Sequence, residues 1–186
     1  MILAAGAVRA LRSAREFVRD RRGISAVEFA AVLPFVLVAY LGSVEVGNGI
    51  ATKLRVSLIA RTLADLATQY ISIRNADMSG IMSASSAVVA PYSAAPLVIT
   101  LSEVTTDANG NATVTWSDSL NGTARPVGQS VTLPTQLQTA NISLIWAEVS
   151  YAYKPNTGYV LTGTLTLSDQ VFMYPRLVNS VTRVNS

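Results

Sequence analysis

The sequence predicts an α+β protein in which a long amino-terminal helix packs on a small antiparallel β-sheet. Two observations predict this fold class. An apolar segment at residues 24–50 is followed by an amphipathic segment at residues 51–75, and together they have the length and periodicity of one long helix. Residues 76–186 then alternate apolar and polar residues in short runs separated by turn residues, which is typical of antiparallel strands. Helical and strand segments that are separated along the chain favour an α+β layer arrangement.

The composition excludes several classes of function. The chain of 186 residues contains neither cysteine nor histidine, so it has no disulfides, no thiol nucleophile, no Ser-His triad and no imidazole zinc site. No Gly-rich phosphate loop follows a predicted strand. We therefore predict that the protein is not an enzyme and has no catalytic, cofactor or metal site. An enzyme stays open as an alternative, and its polar pocket would be visible only in the three-dimensional structure.

Basic residues are concentrated at residues 1–23, which we interpret as a cytoplasmic leader peptide. Residues 1–22 hold six arginines and two acidic residues, whereas the rest of the chain holds eight basic and nine acidic residues. This asymmetry follows the positive-inside rule, which keeps the amino terminus in the cytoplasm and sends the rest across the membrane. It does not match the charge distribution of a nucleic-acid-binding protein.

A pattern of six positions marks the boundary between the basic and the apolar segments. It combines two basic residues, a glycine, and a carboxylate followed by an aromatic at a fixed distance: Arg21, Arg22, Gly23, Ile24, Glu28 and Phe29. A carboxylate in a membrane-length segment costs about 2.5–3.5 kcal/mol at the bilayer centre and less near an interface, so Glu28 needs a partner. Cleavage after Gly23 would create one, the α-ammonium of Ile24.

This pattern resembles the processing site of type IV prepilins, and more narrowly that of the Tad/Flp subclass. There a glycine precedes the cleaved bond, glutamate is the fifth mature residue and an aromatic is the sixth. The resemblance implies a TadE-like minor pilin (pseudopilin) with a type IV pilin-like fold. It is strongest over residues 21–47. It is looser beyond them, at Trp116, at the strand around Glu148 and at residues 174–176.

The resemblance also implies a role, partners and a location. A prepilin peptidase would remove residues 1–23, and the mature subunit would take part in pilus initiation, tip formation or assembly. The expected partners are this peptidase, other Tad pilins, the inner-membrane assembly platform and the lipid bilayer, with no nucleic acid. The expected location is the bacterial inner membrane, with a cytoplasmic amino terminus, a periplasmic carboxy-terminal domain, and incorporation into an extracellular pilus left open.

Two alternatives to this interpretation remain. A secretory signal peptide is disfavoured because the apolar segment follows the proposed cleavage point instead of preceding it. The chain could otherwise be a permanently anchored single-pass periplasmic scaffold or binding protein that is never processed. Both the pilin and the permanent anchor share the membrane-spanning state.

The first half of the predicted helix, residues 24–50, is long enough to cross a bilayer. From Ile24 to Val44 it would span about 31 Å at 1.5 Å per residue, against a hydrocarbon core of about 30 Å. We expect Pro34 to kink or loosen the helix. Glu45 falls at the outer boundary, where a solvated or snorkelling acid is the favoured interpretation. Three glycines near Glu45 predict a flexible joint, since each weakens a helix by roughly 1 kcal/mol relative to Ala.

The second half, residues 51–75, carries a heptad seam. Apolar and small residues recur at alternating steps of four and three: Thr52, Val56, Ile59, Leu63, Leu66, Tyr70 and Ile73. This seam predicts that the outer half of the helix packs on its own sheet. Packing on a neighbouring chain is a second option, and the two are not exclusive. We expect polar residues from Asn75 to Gly80 to end the helix.

Residues 76–186 are predicted to form an extracytoplasmic domain of roughly four antiparallel strands. A short helix is expected over residues 78–90, and residues 97–105 and 112–117 predict a hairpin. Its turn, residues 107–111, shares three positions with a calcium loop but lacks the following glutamate, so a turn is favoured. We expect a loop over residues 118–140.

The carboxy-terminal part of this domain contains the strongest predicted strand, at residues 142–153. Alternation places Ile145, Ala147, Val149, Tyr151 and Tyr153 on one face, and Leu144, Trp146 and Glu148 on the other. Residues 160–167 alternate again, and residues 170–174 are expected to continue this last strand.

Overall fold

A computed structural model describes residues 23–155 and 163–184 of the chain. The leader residues Arg21 and Arg22 and the predicted strand residues 160–162 lie outside the described residues. In chain order the elements are α1 (Ile24–Thr68), β1 (Ser72–Arg74), α2 (Asn75–Ala87), β2 (Leu97–Thr106), β3 (Ala112–Leu120), β4 (Ser130–Val131), a 3₁₀ turn (Thr135–Leu137), β5 (Ser143–Tyr153), β6 (Leu165–Met173) and β7 (Thr182–Val184). The predicted α+β class, a long amino-terminal helix followed by a small antiparallel sheet, is confirmed.

The chain divides into two compact units, one up to Val44 and one from Glu45 onwards. In the first unit the described residues are one apolar stretch of α1 whose large side chains are exposed, among them Phe29, Phe35 and Tyr40. Within the described part of the chain, α1 is the one helix long and apolar enough to cross a membrane. Apart from Ser25, Glu28 and Ser43, its surface there is apolar on all sides, which suits hydrocarbon and not water.

Helix α1 is continuous through the positions expected to weaken it. Pro34 lies inside the helix, and so do Gly47 and Gly49, so the predicted flexible joint does not break the secondary structure. A proline removes one backbone hydrogen bond, and a glycine lowers helix stability by about 1 kcal/mol relative to Ala. A helix of 45 residues stays continuous despite both losses.

The predicted extent of the helix to residue 75 is wrong, because α1 ends at Thr68. Ile73 lies instead in β1, which pairs in parallel with β7 at the far end of the chain. Asn75 begins α2, so the polar residues expected to stop one helix belong to another. The backbone N–H of Arg176 donates to the carbonyl of Thr68, which satisfies one of the carbonyls left open at the end of α1.

The buried face of α1 in the second unit has the period of a straight helix rather than of a heptad. The fully buried side chains are Thr52, Val56, Ile59, Ala60, Leu63, Ala64, Ala67 and Thr68. The predicted seam holds as far as Leu63. Beyond it Leu66 is only partly buried, because a straight helix drifts about 20° per heptad away from a strict 3.5-residue repeat. Tyr70 is also only partly buried, and it lies after the end of α1.

The main sheet has five strands in the order β4-β3-β2-β5-β6, and all its pairings are antiparallel. The predicted count of roughly four is exceeded by the two-residue β4, which lies in the expected loop 118–140. The β2–β3 hairpin forms as predicted. At its turn, Asp107 Oδ1 accepts hydrogen bonds from the backbone N–H groups of Asn109 (2.8 Å) and Asn111 (2.9 Å), and Gly110 adopts a positive φ of 82°.

Strand β5 divides its side chains between two cores as the alternation predicts. Ile145, Ala147 and Val149 join the core that contains the buried face of α1. Leu144 and Trp146 face the other side and pack with Val104 and Leu133 in a second, smaller core. The sheet is therefore covered on both faces, by α1 on one and by the loop after β3 on the other.

The carboxy-terminal segment is fixed by a buried acid that the sequence did not single out. Glu103 is fully buried, and its Oε1 accepts hydrogen bonds from the Val181 N–H (2.7 Å) and the Ser143 hydroxyl (2.6 Å). The Trp116 indole N–H donates to the carbonyl of the same Val181 at 2.7 Å. Arg183 then binds Asp118 at 2.8 Å. These bonds hold β7 beside β1.

We predict that Leu63→Ala lowers the free energy of unfolding by about 2–5 kcal/mol, because Leu63 is fully buried and the truncation leaves a cavity. Urea unfolding of the full chain in detergent, followed by tryptophan fluorescence, measures the change. Leu58→Ala is the control on the same helix, since Leu58 is 52% exposed. Equal losses in both variants would contradict the assignment of the buried face.

We predict that Asp107→Asn destabilises the protein at pH 7 and that the difference from the parent shrinks as pH falls. Hydrogen bonds, first from the Asn111 side chain, lower the pKa of Asp107. A carboxylate whose pKa is lowered on folding contributes stability above its unfolded pKa of about 3.9, and loses it as pH falls through the folded value. Urea midpoints at pH 7 and pH 3 measure the effect. A difference independent of pH would rule out this role of the charge.

Candidate processing and assembly site

The proposed processing segment lies at the start of α1. Gly23 directly precedes the helix, which begins at Ile24. Apart from Gly23 itself and the residues adjacent to it along the chain, no described atom lies within 4 Å of a Cβ built on Gly23, and Phe29 is 66% exposed. The segment from residue 23 to residue 29 is exposed throughout. The bond after Gly23 is therefore not covered by any part of the chain that the structure describes.

The Glu28 carboxylate lies where it can reach a charged group at position 24. The two residues are one helical turn apart, and side chains at positions i and i+4 are neighbours on one face. Helical side chains also lean toward the amino terminus, which carries the Glu28 carboxylate toward Ile24. None of the ion pairs among the described residues includes Glu28.

A new amino terminus on Ile24 would have a specific electrostatic problem. The first N–H groups of a helix lack intrahelical partners and give that end a partial positive charge. An α-ammonium placed there is repelled by the helix dipole, and a carboxylate in the first turns offsets both charges. Among the positions of the pattern, Glu28 is the one acidic residue, and α1 has none in its first turn.

The predicted helix seam contributes to folding at three of its five positions. Val56, Ile59 and Leu63 are fully buried in the core shared with the sheet, whereas Leu66 and Tyr70 pack against its margin. The seam thus packs on the chain's own domain. The opposite side of this stretch of α1 carries a second apolar row, and three of its members, each four residues apart, are exposed: Ile50, Leu54 and Leu58.

Glu45 is not the solvated acid that the sequence favours, because only 3% of it is exposed. Burial raises the pKa of Tyr153 on β5, and the charges of Tyr92 and then Glu45 raise it further. Gly49 lies one turn after Glu45, and a Cβ there would stand 3.8 Å from the Tyr153 ring. A long-range contact between a helix and the end of a strand leaves no periodic signal, so the sequence analysis missed it.

A polar groove of about 800 Å³ lies on the face of the sheet away from α1, beside β5 and β6. Arg125 and Glu148 form a two-pronged ion pair there, with Nε–Oε2 at 2.9 Å and Nη2–Oε1 at 2.7 Å. The Arg125 guanidinium lies 4.1 Å from the Trp146 ring centre, and Phe172 stacks on the same indole. The charges of Arg125 and Glu148 are therefore already paired with each other, and sequence reasoning placed Glu148 on this face without its partner.

The structure brings together some of the predicted site residues and not others. Gly23, Ile24, Glu28 and Phe29 form one contiguous exposed segment, while the buried seam lies in the other unit. Among the described residues there is no group of three or more acidic side chains that could hold a metal ion. Residues 23–29 thus form a surface segment at the start of the apolar part of α1.

Comparison with known proteins agrees with the resemblance inferred from the residues. No curated protein and no solved structure shows significant similarity to the chain. The family model described as TadE-like protein matches residues 23–65, which run from the glycine of the processing pattern into the outer half of α1. Over this segment the chain is similar to TadE-like proteins, and the resemblance that the processing pattern predicts is confirmed there.

Proposed function

We propose that this chain is a minor pilin, or pseudopilin, of a Tad (Flp) pilus assembly system. It is inserted in the inner membrane through α1, is cut after Gly23 by a prepilin peptidase, and then takes part in pilus initiation, tip formation or assembly with other Tad pilins and the assembly platform. It has no enzymatic activity of its own in this proposal.

The observation that supports the proposal most is where the family match begins. It starts at residue 23, the glycine before the proposed cleavage, and covers the whole apolar part of α1. The exposure of residues 23–29 supports access by a membrane peptidase. The apolar, outward-facing surface of α1 up to Val44 is compatible with a single-pass anchor and with helices of neighbouring subunits.

The proposed mechanism couples cleavage to assembly through one ion pair. Before cleavage Glu28 is a charge in an apolar segment. After cleavage the Ile24 ammonium can pair with Glu28 of the same chain or of a neighbour, and at an effective dielectric near 20 unit charges 4 Å apart attract by about 4 kcal/mol. Leaving either charge buried without its partner costs roughly 3–5 kcal/mol. Subunits would therefore dock preferentially in the register that pairs these groups.

We predict that Gly23→Ala reduces processing without disturbing the fold. The residues that the structure describes leave open space around Gly23, so any loss is expected to arise in the peptidase site, where an added methyl group is crowded. Co-expression with a prepilin peptidase, followed by intact-mass measurement, gives the processed fraction. Gly47→Ala is the matched control, because Gly47 lies within α1, away from the cleaved bond, and also has open space around it among the described residues. Normal processing of the Gly23 variant would count against the proposed site.

We predict that Glu28→Gln and Glu28→Ala are inserted and processed normally but enter pili at less than a tenth of the parent level. A loss of 1.4 kcal/mol or more in docking corresponds to a tenfold change, and both variants remove the carboxylate. Shearing pili from cells and quantifying the subunit by immunoblot measures incorporation. Parental incorporation of both variants would exclude charge pairing. Processing without any incorporation of the parent would point to a role at the membrane only.

A further inference from the structure

Strand β6 forms one edge of the main sheet. Among the residues that the structure describes it pairs with β5 on one side only, and its nine residues are exposed or partly exposed. An edge strand presents unpaired N–H and C=O groups, which form a template for a strand of another chain. At the opposite edge, β4 is only two residues long and pairs with Ala112 and Thr113 of β3.

The pairing register shows which groups of β6 point away from the sheet. The Ala152 N–H donates to the carbonyl of Pro96, on the β2 side of β5. Backbone groups alternate between the two sides of a strand, so those of Tyr151 and Val149 point toward β6 and meet Leu167 and Asp169. The backbone groups of Ser168 and Gln170 therefore point outward, to the free edge.

Two of these outward groups are already engaged by side chains. The Lys53 ammonium on α1 donates to the carbonyl of Ser168. The Gln170 N–H donates to Asp169 Oδ1 at 3.0 Å. A strand that added to this edge would have to displace both bonds at the centre of β6.

The Asp169 carboxylate is itself held in place from α1. A hydrogen bond from the Ser57 hydroxyl is the largest cause that lowers the pKa of Asp169, with smaller contributions from the charges of Lys53 and Arg61. Lys53 and Ser57 are one turn apart on the helix, so one face of α1 positions both blocking groups.

Asp169 also opposes pairing between identical copies. In a symmetric antiparallel pair of β6 strands, Ser168 of each copy would exchange hydrogen bonds with Gln170 of the other. The two Asp169 residues would then face each other as a non-hydrogen-bonded pair, with Cα atoms about 4.5 Å apart. Like charges directly opposite each other across strands are destabilising.

We propose that Lys53 and Asp169 act as an edge guard, which closes the free edge of the sheet against a second copy of this chain. The inference depends on contacts within the sheet domain and not on the proposed pilin function.

The test compares the self-association of the parent and of Lys53→Met/Asp169→Thr, which leaves the net charge unchanged. Sedimentation equilibrium of the full chain in density-matched detergent measures the dimer dissociation constant. We expect a monomeric parent and at least tenfold tighter dimerisation of the double variant. Lys154→Met, which removes an exposed lysine near the end of β5, is the control and should stay monomeric. A monomeric double variant, or equal dimerisation of the control, would overturn the proposal.

A cysteine reporter then identifies the interface, since the chain has no cysteine of its own. In a Lys53→Met background, Asp169→Cys should form a disulfide between copies under mild oxidation, because the expected Cα separation lies within the range of disulfides. Lys154→Cys in the same background should not. Dimerisation of the double variant without the Asp169→Cys crosslink would place the interface elsewhere and contradict the guard.

Discussion

A single carboxylate on an otherwise uncharged helix surface is the constraint on which the proposed function depends. Glu28 has no acidic or basic neighbour on the described part of α1 until Glu45, and the side chains between them are almost all apolar. Lipid cannot satisfy a carboxylate, and neither can the apolar surface of another helix. In the proposed function, a new α-ammonium one turn earlier would supply the missing charge. Processing and assembly would then be two consequences of one electrostatic requirement.

The helix and the strongest strands were predictable because their signals are local and periodic. The apolar length of α1, the β2–β3 hairpin and the alternation of β5 were all predicted from neighbouring residues, and the structure agrees. The end of α1 was not, because the parallel pairing of Ile73 with Arg183 overrides a helical pattern that continues in sequence. The seam was correct up to Leu63, where the difference between 3.5 and 3.6 residues per turn becomes large enough to turn Leu66 away.

The residues of the candidate site likewise fall into those that local sequence signals predicted and those that they did not. The processing pattern is contiguous in sequence, so it was found from the residues alone, and the matched segment begins at Gly23. Buried acids were missed because their partners are distant: Glu103 holds Val181 of the carboxy-terminal segment, and Glu45 lies within electrostatic range of Tyr153. The edge guard joins Lys53 of α1 to Ser168 of β6, which no sequence period connects. Charged side chains in this protein thus contact backbone and polar groups that apolar packing does not satisfy.

The amino-terminal residue of the protein isolated from its own cells tests the central claim most directly. Peptide mapping and intact-mass measurement of both the membrane and the sheared pilus fractions would identify it. We expect the mature chain to begin at Ile24 in both fractions, with the arginine-rich residues removed. A chain that keeps Arg21 and Arg22, or that begins at another residue, would contradict the pilin assignment and leave a permanently anchored domain.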